Sequence, residues 1–391
     1  MKPIFINDYS VLCALGGDKA EIANNLFQAK SPLVPYDELL TSRPACVGKV
    51  SSKLENFTKY PEHYCRNNRL LFTAYLQVQK TIEQMKVRYG THRIGIILGT
   101  STSGILEGEH AYQYFKEKHV MPDAFDYHQQ ELGQISVFLS KISGVLGPSM
   151  TVSTACSSSA KALICAKRWI QAGLCDVVIT GGCDTLSAFP LNGFDALDSI
   201  SAGICQPFKQ DRDGINIGEG VGLFVLSQEE GEIEFAGGGE SSDAYHITSP
   251  DPAGSGAVRA MELALKDAKL DISDVGYMNA HGTATLKNDQ MEAKAISQVL
   301  GAEVPCSSTK PLTGHTLGAA SAVEFALCAL SLSNEYNPKR YLPFQLDNGN
   351  YDPDIERIYL AEQGVSWDKP VFMSNSFAFG GSNATLIMRR R

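Results

Sequence analysis

Three residues of this 391-residue chain have the types and settings for covalent catalysis through sulfur: Cys156, His281 and His315. Cys156 stands in Thr151-Val-Ser-Thr-Ala-Cys-Ser-Ser-Ser-Ala-Lys-Ala-Leu163, where a short β-like run breaks and an amphipathic helix begins. A thiol at a helix start meets unpaired N–H groups and the positive end of the dipole, which predicts a favoured thiolate and a nucleophilic sulfur. Its small neighbours, Ala155, Ser157, Ser158, Ser159 and Ala160, leave room for a bulky group on that sulfur. His281 follows an apolar strand and precedes Gly-Thr-Ala-Thr, whereas His315 follows Lys310-Pro-Leu-Thr-Gly and opens a helix rich in Gly and Ala. A helix N-terminus disfavours imidazolium, so a neutral His315 that donates a hydrogen bond is expected. On residue type alone, a small buried thiol is the favoured reading of Cys156, and packing or surface roles that of the histidines, so the rest of the chain must supply the case for catalysis.

The elements around these residues alternate between strand and helix. Ile4–Ile6 reads as a strand, and Asp18 to Glu21 as a capping box before a short helix. Apolar residues recur at helical spacing from Arg66 to Tyr89, with Gly90 as the stop. The apolar run Ile94–Leu98 leads into Gly99-Thr-Ser-Thr-Ser-Gly104, residues 105–147 read as helices and loops packed in part against another subunit, and Asp176–Gly182 has a buried-strand pattern. From Gly231 the same order returns: strand Ile233–Ala236, helix Gly256–Lys269, strand Gly276–Ala280, a helix from about Asp289, and a small-residue helix ending at Leu332. Gly99–Gly104 thereby corresponds to His281–Thr285, and Thr151–Ala166 to Thr309–Phe325. That points to one duplicated α/β unit, with halves 1–230 and 231–391.

Composition narrows the function classes. A net charge of −9 argues against general nucleic-acid binding. The ten cysteines include no Cys-x-x-Cys pair, so neither a disulfide framework nor a metal site is suggested. No apolar run reaches the length of a membrane span, and the first residues lack the apolar core of a signal peptide, so a cytoplasmic location is expected.

Four separated motifs, Thr-Ala-Cys156-Ser-Ser, His281-Gly-Thr-Ala-Thr, Lys310-Pro-Leu-Thr-Gly-His315 and Asn375-Ser-Phe-Ala-Phe-Gly-Gly-Ser-Asn383, together resemble the β-ketoacyl-[acyl carrier protein] synthases of the thiolase superfamily, elongating type. The resemblance covers essentially the whole chain. It implies the five-layered αβαβα fold built from two similar halves, and a decarboxylative Claisen condensation. Cys156 would hold an acyl chain, the N–H groups of Cys156 and Phe379 would form the oxyanion hole, and His281 and His315 would polarise the malonyl thioester carbonyl. Lys310 would order the site, Glu324 and Asp289 would support it, and Thr283, Thr285 and Phe377 would contact the substrate and its phosphopantetheine arm. Phe379 resembles a gating phenylalanine; Ala378 stands where many relatives have glycine, which would stiffen that loop.

The resemblance implies no permanently bound cofactor, an acyl carrier protein as partner, and either a homodimer or a heterodimer with a ketosynthase-like chain-length factor. Because carrier proteins are acidic, Arg66, Arg69, Lys116 and Lys118 are the candidate docking residues. Polar Ser101-Thr102-Ser103, with Asp184-Thr-Leu186, Leu191–Phe194 and Arg212–Glu219, is similar to ketosynthases of aryl-polyene-type pathways. A thiolase acting on coenzyme A would carry a second cysteine in the final glycine loop, and a starter-unit synthase one His and an Asn. A non-catalytic chain-length partner would lack the nucleophile.

Overall fold

Strands that are apolar on both faces must be covered on both sides, and that requirement organises the chain. The computed structural model describes residues 2–40, 43–346 and 349–391. We number only the main strands of its large sheet and the helices that flank them. The first half runs β1 (Phe5–Leu12), α1 (Arg66–Tyr89), β2 (Ile94–Gly99), α2 (Ile105–Lys118), β3 (Ser149–Val152), α3 (Ser158–Gln171), β4 (Val177–Asp184) and β5 (Gly220–Ser227). The second runs β6 (Ile233–Ser242), α4 (Ser255–Ala268), β7 (Tyr277–Asn279), α5 (Leu286–Leu300), β8 (Pro305–Ser307), α6 (Ala320–Leu332), β9 (Val371–Ala378) and β10 (Ser382–Arg390).

The strand order repeats along with the element order. The first half is ordered β3-β2-β4-β5-β1 and the second β8-β7-β9-β10-β6, with the short strand Tyr359–Leu360 added beside β8. In each half the first three strands are parallel and the last two antiparallel. The halves join where β1 meets β6 in an antiparallel pair, Phe5 opposite Glu234 and Ile6 opposite Ile233.

Alternation along the strands sorts the core into layers. On β5, Val221, Leu223 and Val225 join the outer cluster with Leu70, Leu71 and Ala74 of α1, while Phe224 and Leu226 face the central cluster. On β9, Val371 and Met373 meet Met261 of α4 and Ile296 of α5, and Phe372 faces the centre. The centre is α3 and α6, packed on each other and on strands of both halves. Every residue of α6 is buried, which its small side chains permit. Close approach also needs Gly222, where a Cβ would lie 2.5 Å from the carbonyl oxygen of Ala322. The result is the five-layered αβαβα arrangement of a thiolase-like fold. No helix among the described residues is long and apolar enough to cross a membrane.

Sequence reading found α1 at its observed bounds, but it ended β1 and β6 too early. Their later residues, such as Asn7-Asp8 and Gly237–Gly239, lack a strand pattern and are held by pairing to β5 and β10. The proposed capping box is half formed: Asp18 accepts from Glu21 N at 2.9 Å, but Glu21 accepts from Gly17 N rather than Asp18 N.

Candidate active site

The nucleophile candidate is set on a tight elbow between β3 and α3. Ala155 takes φ 50°, a left-handed conformation that costs an alanine on the order of 1 kcal/mol. The serines around it offset that strain. Ser158 Oγ accepts from Thr154 N (2.8 Å) and donates to Ala155 O (2.6 Å), while Ser157 Oγ donates to Thr154 O (2.9 Å) and can accept from Ser382 Oγ (3.0 Å). Cys156 therefore precedes the helix rather than lying within its first turn, and its side chain is buried. Here the expected thiolate is corrected: burial pushes the Cys156 thiol up to about 12, more than the Lys310 charge and the local N–H pull it down.

His315 Nε2 lies 2.9 Å from Cys156 Sγ. The His315 backbone is fixed by Asn216 O (2.6 Å) and Gly218 N (2.9 Å), the loop ahead of β5. Nδ1 of His315 has no hydrogen-bond partner among the described residues. A bare lone pair is more readily tolerated there than an orphaned N–H, which assigns the proton to Nε2. His281 lies alongside, with ring centroids 5.3 Å apart and nearly perpendicular. Its Nδ1 is 3.5 Å from Lys310 Nζ, an obligate donor, so the His281 proton also belongs on Nε2. Burial first, and the Lys310 charge second, hold both imidazoles well below the usual histidine range. Both are neutral donors; the sequence expected this of His315 from a helix start, but α6 begins only at Ala320, and burial with the Lys310 charge is the cause.

Lys310 is itself buried, with Nζ 2.5 Å from both His281 O and Glu324 Oε1. Asp289, on the first turn of α5, accepts from Phe208 N (2.8 Å) and Ala284 N (3.2 Å), fixing the loop after His281. Sequence reading missed Glu292, one turn further along α5. Its two oxygens accept from His281 N and Gly282 N at 2.7 Å each, and burial pushes its carboxyl up to about 7. The available signal was the Asp289/Glu292 spacing, which puts both carboxylates on one helical face. Asp184, at the end of a fully buried strand, was missed in the same way: it accepts from Thr100 Oγ1 (2.6 Å), Thr102 N and Oγ1 (2.8 Å each), Ser101 N and Ala319 N. The polar Ser101–Ser103 segment is polar because it serves that carboxylate and Gln134, which donates to Ser103 Oγ at 3.0 Å.

These groups meet at the bottom of a cavity of about 360 Å³ lined by Cys156, His281, His315, Thr283, Thr285, Phe377 and Phe379. Thr283 and Thr285 share a hydrogen bond (2.9 Å), and the Phe377 ring lies 5.9 Å from that of His281. Phe379 is 38% exposed and packs on Phe194 at 5.3 Å. Ala378 is the last residue of β9, paired with Ser382, where a Cβ costs nothing; the positive φ values fall on Gly380 (84°) and Gly381 (74°). The positive φ values that favour glycine thus fall after Phe379 and not at Ala378.

None of the four candidate docking residues lines this cavity. The guanidinium of Arg66 is committed to the fully buried carboxylate of Glu219, with Nε at 2.8 Å from Oε2, so Arg66 is a structural ion pair. Arg69 donates to Leu54 O and lies over the Tyr64 ring. Lys116 and Lys118 are exposed on the last turn of α2. The donor atoms of Cys156, His281 and His315 all fall within 4.8 Å of one another, so they can converge on one reacting group, and they are also the residues whose types could hold a soft metal ion.

Comparison with known proteins agrees with this geometry. Residues 1–231 match the family model described as beta-ketoacyl synthase, N-terminal domain, and residues 233–341 the corresponding C-terminal domain. The chain is 35% identical to 3-oxoacyl-[acyl-carrier-protein] synthase 2 of Vibrio cholerae across 76% of each chain, and 30% identical to nodulation protein E of a Rhizobium strain across 99% of each. Among solved structures, it resembles the ketosynthase ApeO, in complex with its chain length factor ApeC from Xenorhabdus doucetiae, with TM-score 0.95 and 43% identity over 100% of this chain and 98% of that one. A β-ketoacyl synthase from Burkholderia phymatum gives TM-score 0.86 and 28% identity over the full length of both.

Proposed function

The chain belongs to the β-ketoacyl synthase family, and from that premise we propose that it elongates an acyl chain through Cys156. In the first stage the Cys156 sulfur attacks the thioester carbonyl of an acyl group on a carrier protein. The oxyanion is stabilised by the N–H groups of Cys156 and Phe379, the carrier C–S bond breaks, and the carrier leaves as its thiol with the proton from Cys156. In the second stage malonyl-carrier protein enters. The Nε2–H groups of His281 and His315 donate to its thioester carbonyl, the bond to the carboxylate breaks with release of CO2, and the electron pair remains as an enolate. The enolate carbon attacks acyl-Cys156, the C–S bond breaks with its electron pair on sulfur, β-ketoacyl-carrier protein departs, and the Cys156 thiolate takes up a proton from solvent to restore the thiol. The single observation that carries this reading is the convergence of one thiol and two neutral imidazoles at the floor of one cavity.

Lys310 fixes the tautomer and position of His281, Glu324 anchors Lys310, and Asp289 supports the loop. Thr283, Thr285 and Phe377 contact the arm and the acyl group, and Phe379 gates access. The half ending at residue 230 thus brings the nucleophile and the half from 231 brings both imidazoles. Substrates arrive on the phosphopantetheine arm of an acyl carrier protein, with no resident cofactor, in the cytoplasm. A second ketosynthase-like subunit, either a copy or a chain-length factor, packs on the free edge of β3. That strand is an outer edge of the large sheet, and Met150 on it is exposed. An aryl-polyene-type elongation pathway is the specific setting we propose, supported by the similarity of Ser101–Ser103, Asp184–Leu186, Leu191–Phe194 and Arg212–Glu219 to ketosynthases of such pathways. The test is product formation from acyl- and malonyl-carrier proteins. A β-ketoacyl product that vanishes in Cys156→Ala supports the reading; unchanged product in that variant overturns it.

A further inference from the structure

The mouth of the cavity carries a cation that the reaction scheme does not use. Among the described residues its lining includes Asp198, Asp213 and Asp243 and, besides the neutral His281 and His315, two basic side chains, Arg212 and Lys287. Arg212 is 3% exposed and bound to Asp352 and Lys209 O, so it is not available to an incoming anion. Asp213 accepts from Ala202 N (2.9 Å), and Asp243 from Asn383 Nδ2 (2.7 Å) and Asp251 N (3.2 Å). Lys287 is exposed, and its ammonium group makes one hydrogen bond, to the Ser249 hydroxyl across the mouth at 3.0 Å. It stands on the first turn of α5, a 15-residue helix whose N-cap Thr285 makes no side-chain cap bond and whose buried Asp289 is turned to Phe208 N and Ala284 N. Four basic residues expected at a docking surface lie elsewhere in the fold.

Resting on the acyl-transfer reading above, we propose that Lys287 is the anchor for the phosphate at the outer end of the pantetheine arm. An ammonium held by one exposed hydroxyl exchanges that neutral bond for a charge-assisted one with a phosphate oxygen. Without Lys287 the accessible charges of the mouth are carboxylates, which repel the phosphate. The arm is thus held at both ends: its thioester by the imidazoles and oxyanion donors, its phosphate by Lys287.

The test uses the full-length protein and measures loading of Cys156 from two donors, acyl-pantetheine and acyl-4′-phosphopantetheine, which differ only in the phosphate. In Lys287→Ala the preference for the phosphorylated donor, taken as the ratio of apparent KM values, falls about tenfold, as the loss of one charge-assisted hydrogen bond requires. Lys287→Glu lowers it further and Lys287→Arg restores most of it, with all melting temperatures equal to that of the parent. The same order with acyl-carrier protein as donor assigns the contact to the carrier-borne arm. An unchanged ratio in both Lys287→Ala and Lys287→Glu overturns the proposal, as does an equal loss with both donors, which would make Lys287 a latch to Ser249. A parent protein that loads from no donor overturns the acyl-transfer reading itself, and the proposal with it.

Discussion

The Lys310–Glu324 pair separates stability from chemistry, so its removal makes a sharp test. Both groups are at most 2% exposed and meet at 2.5 Å, and Glu324 Oε2 has no other partner among the described residues. In Lys310→Met the carboxylate is left buried and uncompensated, which costs about 3–5 kcal/mol of folding stability. Burial already pushes the Glu324 carboxyl up, and only Lys310 pulls it down. Without Lys310 its folded value therefore rises further above the unfolded one. The folded state then binds more protons than the unfolded state, so the deficit grows as pH rises from the unfolded value of 4.5 through the folded one and shrinks in acid. Replacing both partners, Lys310→Met with Glu324→Leu, removes the stranded charge and returns stability to within about 2 kcal/mol of the parent. Decarboxylation does not return, because His281 still lacks the ammonium near Nδ1 and at its carbonyl. Losing that charged hydrogen bond removes about 1.5–3 kcal/mol from positioning, roughly a 10- to 100-fold lower rate. Urea denaturation of the three proteins, paired with single-turnover malonyl decarboxylation, reads both quantities. A double variant as unstable as Lys310→Met would refute the electrostatic account, and one that regains decarboxylation with its stability would reduce Lys310 to a packing role.

Three further outcomes follow from the same site. Replacing His281 or His315 by alanine slows malonyl decarboxylation far more than acyl loading; equal loss of both partial reactions would contradict the division of roles. Because both imidazoles are held well below 6.5, decarboxylation stays level as pH falls through 6.5, and an inflection there would show that a charged imidazole had been misassigned. Stability moves oppositely over that range: the unfolded histidines protonate first, so the two residues subtract folding stability as pH falls below 6.5. Alkylation of Cys156 by iodoacetamide keeps accelerating with pH beyond 9, towards the thiol value of about 12, and a plateau at or below 9 would mean that the helix start outweighs burial.

The parts of this site that were legible in the sequence were those where backbone geometry and chemistry coincide in one short segment. Cys156, His281 and Lys310 each sit just beyond a strand, His315 follows the short helix Lys310–Thr313, and the duplicated element order brings those segments together. Glu292 and Asp184 were hidden because a mid-helix glutamate normally faces water and an aspartate ending a strand normally begins a turn; only tertiary packing turns them onto backbone N–H groups. The thiol's ionisation was misjudged for a related reason. A helix start is visible in sequence, but the desolvation that outweighs it comes from distant segments, including His315 and the loop ahead of β5. Arg66 looked like a free surface charge because its partner, Glu219, lies 153 residues away.

The most direct test of the central claim is the mass of the intact protein before and after each half-reaction. After incubation with an acyl-carrier protein, one acyl group should be attached to a peptide containing Cys156, and adding malonyl-carrier protein should discharge it as β-ketoacyl-carrier protein with release of CO2. Acyl attachment at another residue, or an adduct that malonyl-carrier protein does not discharge, would contradict the account.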